Sequence, residues 1–159
     1  MQKGDAIFTS RSEEWATPWN VFRLLDCKFG KFELDPCATA DNAKCERFYT
    51  KEQNGLTLPW DVPTFCNPPY GRTIGQWMQK AYESHLEHGV TVCCLVHART
   101  DTRWFHDWAI KGEVHFIKGR IAFNNAQSAP FPSIAVVYGN DAHHRLKTIN
   151  LKNELSVNG

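Results

Sequence analysis

Short apolar runs alternate along the chain with longer stretches in which apolar residues recur every three or four positions. The short runs have the length and composition of strands, whereas the longer stretches have the periodicity of amphipathic helices. The predicted strands are 31–35, 47–50, 64–66, 90–96, 113–118 and 134–138. The predicted helices are 18–29, a short one at 41–46, 73–88 and one that begins after Arg103. This alternation predicts an α/β fold with a mainly parallel sheet and helices on both faces.

The ends of the two longest predicted helices carry local signals. Thr17 is predicted to be the N-cap of the first helix, with Pro18 at the first helical position and Gly30 as its stop. Thr73 is predicted to cap the second helix, and Gly89 follows that helix. The second helix has one apolar face, which consists of Ile74, Trp77, Met78, Ala81, Tyr82 and Leu86.

The distribution of polar residues divides the chain into three parts. Residues 1–14 are polar without periodicity and are expected to form a flexible arm, and residues 15–139 are expected to form the folded domain. Residues 140–159 are polar again, and we expect a frayed or weakly helical tail there. The segment 119–133 between the last two strands is a long loop for a compact domain, and such loops are usually functional or mobile.

Length and charge limit the classes of protein. A chain of 159 residues has the size of one domain with a substantial core. Its 18 basic and 17 acidic residues give a formal net charge of +1, so any contact with nucleic acid has to come from a local basic patch. No signal peptide and no membrane-spanning apolar run is visible, and we therefore expect a cytoplasmic protein without membrane contact.

The six cysteines are interpreted as reduced thiols. Cys93 and Cys94 are adjacent in a predicted strand, where neighbouring side chains face opposite ways. Cys37 and Cys66 are interpreted as small buried residues. Neither the cysteines nor the seven histidines have the close spacing that is typical of metal ligands, so no metal is predicted.

The sequence Asn67-Pro68-Pro69-Tyr70 directly follows a short predicted strand. The two prolines lack N–H groups and have fixed φ angles, and a residue that precedes proline adopts an extended conformation. Asn67 is therefore expected to end the strand with its amide beyond the edge of the sheet. The side-chain oxygen of Asn67 and the carbonyl of Pro68 can accept hydrogen bonds from one amino group, and the Tyr70 ring offers a flat surface for the planar group that carries it. This arrangement favours an aromatic amine as substrate.

The sequence Asp35-Pro36-Cys37-Ala38 ends an earlier predicted strand. A carboxylate followed by small residues at the carboxyl end of a strand is a usual place for a ligand in an open α/β sheet. The turn contains no glycine, which argues against a dinucleotide whose pyrophosphate has to be held by the backbone.

These elements, in the order Thr17-Pro18, Asp35 to Ala38, Asn67 to Tyr70, resemble those of amino-directed DNA methyltransferases. More closely, the chain is similar to the phage-type DNA N-6-adenine methyltransferases, the small Dam family, from about Trp15 to Tyr138. The further matching segments are 54–56, Trp60, 98–102, 119–123 and 129–133. The resemblance implies a Rossmann-like class I methyltransferase fold and site-specific methyl transfer from S-adenosylmethionine to adenine N6. It also implies double-stranded DNA as the partner, without an obligatory protein partner.

The resemblance implies which residues hold the cofactor. These are Trp15, Thr17, Pro18, Asp35, Pro36, Cys37, Ala38, Asn54, Gly55 and Leu56. Asp35 would accept a hydrogen bond from the ammonium group of the methionine part. Asn54 stands where related enzymes usually carry an acidic residue for the adenine ring of the cofactor, and Glu52 is the nearest candidate for the ribose hydroxyls.

The resemblance also implies the residues that contact the substrate. The catalytic element would be Asn67, Pro68, Pro69 and Tyr70. Independently, the local positive charge of Arg99, Arg103, Lys118 and Arg120 predicts that these residues contact phosphates at a DNA-facing rim. Phe131 would either pack in the core or face Tyr70 across a pocket, so that the two rings sandwich an extruded adenine. Because Asn-Pro-Pro-Tyr also occurs in methyltransferases that act on cytosine N4 or protein glutamine, those amines remain alternatives, as does a catalytically silent DNA-binding homologue.

Overall fold

A computed structural model describes residues 15–123, 129–139 and 145–158 of the chain. The predicted arm, residues 1–14, lies outside the described residues. The helices are α1 (Trp19–Phe29), α2 (Ile74–His88), α3 (Arg103–Asp107) and α4 (Leu151–Asn158), and short 3₁₀ turns span Gly55–Thr57 and Ala109–Lys111. The strands are β1 (Leu34–Asp35), β2 (Arg47–Phe48), β3 (Thr64–Cys66), β4 (Val92–His97), β5 (Glu113–Lys118), β6 (Ser133–Tyr138) and β7 (Leu146–Asn150).

The strands form one seven-stranded sheet in the order β2-β1-β3-β4-β6-β5-β7. Strand β6 is antiparallel to both of its neighbours, whereas the other neighbouring pairs are parallel. The chain leaves β1 first toward β2 on one side and later returns to β3 on the other side. This reversal creates a crevice beyond the carboxyl ends of β1 and β3, which is the usual position of a ligand in sheets of this kind.

Helices cover both faces of the sheet, as the alternation along β4 demonstrates. Val92, Cys94 and Val96 pack in one apolar cluster together with residues of α2 and α3. Cys93 and Leu95 pack in the other cluster, together with residues of α1 and α4. All six residues of β4 are buried, which explains its nearly continuous apolar sequence. The prediction that Cys93 and Cys94 face opposite ways is confirmed.

Local signals predicted some elements well. Strands β3 and β5 have the predicted bounds, and Gly30 and Gly89 follow their helices with positive φ angles of 105° and 67°. The predicted N-cap of α1 is wrong. Pro18 occupies the N-cap position of α1, and the hydroxyl of Thr17 is buried with no hydrogen-bond partner among the described residues. Thr73 has the N-cap position of α2, but its side chain makes no capping hydrogen bond.

Three further predictions are corrected. Residues 41–46 form turns instead of a helix, because the Lys44 amide donates to the Asp35 carboxylate at 3.0 Å and so leaves the helical hydrogen-bond pattern. Leu86 is 62% exposed, and Ser84 takes a buried position on α2 instead. The expected frayed tail contains a strand, since Leu146–Asn150 pairs in parallel with β5 before α4 begins.

Candidate active site

Three polar residues end strands at the carboxyl edge of the sheet. Asp35 is the last residue of β1, Asn67 directly follows β3, and His97 is the last residue of β4. Because β1, β3 and β4 are parallel neighbours, their carboxyl ends lie at one edge. Strand β6 runs the other way and begins there, with Ser133 paired to His97. The edge therefore gathers polar side chains from four strands.

Asn67 is held by the segment that precedes α1. Its side-chain NH2 group donates to the backbone carbonyl of Trp15, which can only accept. This bond fixes the orientation of the amide and directs its oxygen the opposite way. Asn67 Oδ1 is buried and has no hydrogen-bond partner within the described part of the chain. The site thus presents an oriented acceptor, next to Pro68, which has no N–H of its own to compete for it.

Tyr70 is only 5% exposed, and its hydroxyl donates to the carbonyl of Leu95 at 3.3 Å. Burial raises the pKa of this hydroxyl well above its ordinary value, so Tyr70 is a neutral aromatic surface and not a base. Its ring centroid lies 4.6 Å from that of His97, with 39° between the planes.

Phe131 contacts Tyr70 directly, whereas the predicted sandwich of a base requires a gap between the two rings. The two centroids are 5.4 Å apart, and the ring planes make an angle of 71°. A base stacked between two parallel rings needs them about 7 Å apart, since each stacking contact takes about 3.5 Å. Phe131 also touches the rings of Trp15 and Phe123 in edge and tilted contacts. In this structure Phe131 is half-buried and packs against the pocket wall.

A cavity of about 730 Å³ opens beside these rings. It brings together five of the predicted site residues, namely Trp15, Tyr70, Arg99, Arg103 and Phe131. It is also lined by residues that the sequence analysis did not select, among them Arg72, His97, Trp104 and Trp108. Aromatic side chains are the largest group in its walls, and the exposed Arg72, Arg99 and Arg103 line it together with Asp107. An aromatic cavity bordered by arginines is suited to a planar ring attached to a phosphate backbone.

Asp35 is almost completely buried, with 4% of its surface exposed. Its carboxylate accepts hydrogen bonds from the amides of Cys37 at 3.4 Å and Lys44 at 3.0 Å. Burial raises its pKa from 3.8 to about 6, although both amides and the charge of Lys44 act in the opposite direction. Because a carboxylate offers about four acceptor sites, capacity remains for a further donor.

The predicted cofactor residues around Asn54 lie against the loop that follows β1. A Cβ atom on Gly55 would be 2.2 Å from the carbonyl oxygen of Pro36, so only glycine permits this approach. The buried Trp60 indole donates to the Gly55 carbonyl at 2.9 Å and holds the turn in place. Asn54 has a left-handed φ of 58°, and its side-chain oxygen accepts from the Leu56 amide at 3.2 Å. Asn54 therefore has a local structural role here.

The remaining predicted site residues are distributed along the same edge. Ala38 is buried and its amide donates to Tyr49 at 3.0 Å, whereas Glu52 is exposed in a turn. Pro18 and Arg120 line a second cavity of about 580 Å³ instead of the aromatic one. Arg120 donates to the Ala129 carbonyl at 3.3 Å, and Lys118 is exposed at the end of β5. The four predicted basic residues are thus divided between two places.

His97 is the main site residue that the sequence analysis missed. The signal was available, because His97 is a polar residue at the end of an apolar strand, as Asp35 and Asn67 are. The predicted strand ended one residue earlier, at Val96, and so His97 was assigned to the following loop.

Within the described ranges, no cluster of three histidine, cysteine or acidic side chains is placed to hold a metal ion. In the same part of the chain, no helix combines the length and the apolar character needed to cross a membrane.

Comparisons with known proteins identify the family. Residues 6–140 match the family model of DNA N-6-adenine-methyltransferase (Dam). The chain is 35% identical over 128 residues to the DNA N-6-adenine-methyltransferase of Haemophilus phage HP1. The matched region covers 76% of this chain and 72% of the phage protein. It is 37% identical over 93 residues to the protein of the same name from Escherichia phage T1, covering 57% of this chain and 38% of that protein. The chain therefore belongs to the DNA N-6-adenine-methyltransferase (Dam) family.

Proposed function

We propose that this protein transfers a methyl group from S-adenosylmethionine to the N6 amino group of adenine in double-stranded DNA. The family and both phage relatives support adenine in DNA as the substrate. The observation that carries the proposal is the oriented oxygen of Asn67, which has no partner among the described residues. Its amide donates to Trp15, and Trp15 and Tyr70 both line the aromatic cavity, although Asn67 itself does not. An acceptor at this position, with aromatic surface next to it, is suited to an amino group on a planar ring.

The topology supports a Rossmann-like class I methyltransferase fold. Helices cover both faces of the sheet, and β6 is its single strand in the opposite direction among the seven described. The reversal of the chain between β1 and β3 lies beside both Asp35 and Asn67. A ligand bound in this crevice would therefore lie between the predicted cofactor loop and the predicted catalytic element.

The residues at the crevice fit S-adenosylmethionine. The buried hydroxyl of Thr17 has no partner among the described residues, and the Asp35 carboxylate has acceptor capacity left. These groups would hold the polar methionine part, with Trp15, Pro18 and the loop from Pro36 to Ala38 around it. The segment from Asn54 to Leu56 would hold the adenine ring. When bound, S-adenosylmethionine supplies a methyl group that its positively charged sulfur has already activated.

The task of the protein is then to prepare the amine. The lone pair of an adenine amino group is delocalised into the ring, and hydrogen bonds from both N–H groups to acceptors concentrate electron density on the nitrogen. Asn67 Oδ1 and the carbonyl of Pro68 would accept these bonds and stabilise the positive charge that develops on nitrogen. Because the donor is already activated, no strong base is needed before transfer, and orientation supplies much of the remaining rate enhancement.

Duplex DNA can reach this site only if the target base leaves the stack. Asn67 Oδ1 is buried, so an amino group stacked inside a duplex cannot reach it, and the base has to be extruded. Tyr70 would support one face of the base, and Phe131 would have to leave its edge contact with Tyr70 to stack on the other face. The exposed Arg72, Arg99 and Arg103 would contact the neighbouring phosphates. They would form the local basic patch that a chain with a net charge of only +1 needs in order to bind nucleic acid.

The test is methylation of unmethylated duplex DNA with radiolabelled S-adenosylmethionine, followed by analysis of the nucleosides. We expect N6-methyladenine from the wild-type protein. Asn67→Ala should bind the cofactor normally and lose about a hundredfold or more in single-turnover rate, whereas Asn153→Ala, an exposed change on α4, should behave as wild type. N4-methylcytosine as the product, or methyl groups on protein glutamine, would contradict the proposal. Normal cofactor binding without any methylation would indicate a catalytically silent homologue.

A further inference from the structure

His97 and Ser133 form the last rung of the β4–β6 ladder at the active edge. His97 is 8% exposed and Ser133 is 2% exposed. His97 Nδ1 and Ser133 Oγ are both buried, and neither has a hydrogen-bond partner among the described residues. A buried polar atom without a partner costs stability, commonly about 1–3 kcal/mol, so two on one rung next to the cavity indicate that something else completes them.

The imidazole of His97 is fixed in orientation by aromatic neighbours. Its ring is stacked on Trp104 at 5.6 Å and 24°, and it is tilted against Tyr70 at 4.6 Å. Burial lowers the pKa of His97, an interaction with its own backbone acts in the opposite direction, and the charge of Arg99 lowers the pKa further, so that the net shift is downward. The ring is therefore neutral near pH 7, with one N–H donor and one acceptor nitrogen. His97 also lines the aromatic cavity beside Tyr70 and Phe131.

The chemistry of adenine makes this histidine useful. The amino group on C6 is flanked by two ring nitrogens, N1 and N7, and both are acceptors. A base whose amino group reaches Asn67 and Pro68 next to the Tyr70 ring brings these flanking nitrogens toward the residues around that ring. The His97 ring lies 4.6 Å from the Tyr70 ring between centroids, and its Nδ1 has no partner among the described residues. We propose that His97 donates a hydrogen bond to one of these two ring nitrogens and so reads the target base.

This inference rests on the proposed function, and it assigns a specificity-determining residue within it. A base without an acceptor next to its amino group would leave the buried N–H of His97 without a partner. Sites that are built to hydrogen-bond a substrate discriminate strongly against analogues that lack the partner, because the buried polar group is then left unsatisfied. The contact thus adds selection at the ring to the selection at the amino group.

The experiment uses duplexes that carry 1-deaza-, 3-deaza- or 7-deazaadenine at the position of a methylated adenine. We expect the wild-type kcat/KM to fall about 10- to 100-fold on either the 1-deaza or the 7-deaza duplex and to change little on the 3-deaza duplex. His97→Phe keeps an aromatic ring between Tyr70 and Trp104 but has no nitrogen. The kcat/KM of this variant on natural DNA should be lower than that of wild type by the same factor. The variant should also no longer distinguish adenine from the analogue to which wild type is sensitive. His97→Asn keeps an N–H donor and should recover part of the loss, and S-adenosylmethionine binding should be unchanged in both variants.

Several results would overturn the inference. The inference fails if the wild-type kcat/KM on both the 1-deaza and the 7-deaza duplex equals that on natural adenine. This result needs no variant, so it counts even if both variants fail to fold. A uniform loss in His97→Phe on natural DNA and on all analogues would make His97 a structural residue. If Ser133→Ala reproduced that uniform loss, Ser133 would be the partner of His97. Absence of methylation of natural adenine by the wild-type protein would instead refute the proposed function, and the two failures are therefore distinguishable.

Discussion

Asp35 provides a quantitative test of the site, because its burial has consequences for both stability and cofactor binding. The carboxylate is 4% exposed and accepts two backbone hydrogen bonds, and burial raises its pKa from 3.8 to about 6. In the folded protein the group therefore retains its proton up to a higher pH than in the unfolded chain. The substitution Asp35→Asn removes the titration with little change in shape.

The sign and size of the effect follow from linkage. Because the folded state binds the proton more tightly, the contribution of Asp35 to stability is fully present below about pH 4 and is lost as the pH rises through 6. The difference between about 6 and 3.8, at about 1.4 kcal/mol per pKa unit, corresponds to about 3 kcal/mol at pH 7. The free energy of unfolding of Asp35→Asn, relative to wild type, should thus increase by about 2–3 kcal/mol between pH 4 and pH 7.5.

The assay is urea denaturation at a series of pH values, followed by tryptophan fluorescence. Asp41→Asn removes an exposed carboxylate and serves as the matched control. Calorimetry with S-adenosylmethionine tests the second consequence. If the ionised carboxylate accepts from the ammonium, wild-type affinity should fall up to about tenfold per pH unit below 6, and Asp35→Asn should bind about 10- to 100-fold more weakly at pH 7.5.

The stability prediction and the cofactor-binding prediction can fail separately. A stability difference between Asp35→Asn and wild type that does not vary with pH would mean that the carboxylate is well solvated in the folded protein. Unchanged cofactor affinity in a folded Asp35→Asn protein would remove Asp35 from the cofactor site, and its role would then be to hold the loop through the Cys37 and Lys44 amides.

Three further predictions concern the base, the DNA and the cofactor loop. Phe131→Ala should leave S-adenosylmethionine binding intact but weaken retention of the extruded base, measured by the fluorescence of 2-aminopurine at the target position; a wild-type signal and wild-type turnover would assign Phe131 to the core. Arg99→Gln and Arg103→Gln should each reduce the slope of log Kd against log salt concentration by about 0.9. Lys31→Gln changes an exposed residue away from the cavity and should leave the slope unchanged. Unaltered slopes in both arginine variants would place the DNA elsewhere. Gly55→Ala should lower the melting temperature, because its Cβ would lie 2.2 Å from the Pro36 oxygen, and an unaffected melting temperature would show that the loop moves freely.

The parts of the fold that could be predicted are those whose cause is local in the sequence. Strand β3 ends where predicted because Pro68 cannot donate to a ladder, and α2 ends where predicted because Gly89 adopts a left-handed conformation. Strand β7 could not be predicted in this way. Its sequence is polar and its first three residues are exposed, so no apolar pattern marks it, and it exists because it pairs with β5 about thirty residues earlier in the chain.

Part of the pocket lining could be predicted from the sequence, but the contacts among its rings could not, because they join distant segments of the chain. The ring centroid of Phe131 lies close to those of four other rings, at 5.2 Å from Trp15, 5.4 Å from Tyr70, 5.9 Å from Phe123 and 6.1 Å from His97. Each aromatic contact of this kind stabilises by about 0.5–1.5 kcal/mol, and stacking of a base on an aromatic ring stabilises by about 1–3 kcal/mol. In the proposed complex, entry of the base would exchange the aromatic partners of Phe131 for a stacked base, and the loss of all four contacts, about 2–6 kcal/mol together, would exceed the gain from stacking. A base that also bonded to Asn67 and His97 would shift that balance toward the open pocket, so the polar contacts proposed to select adenine would also favour the movement of Phe131.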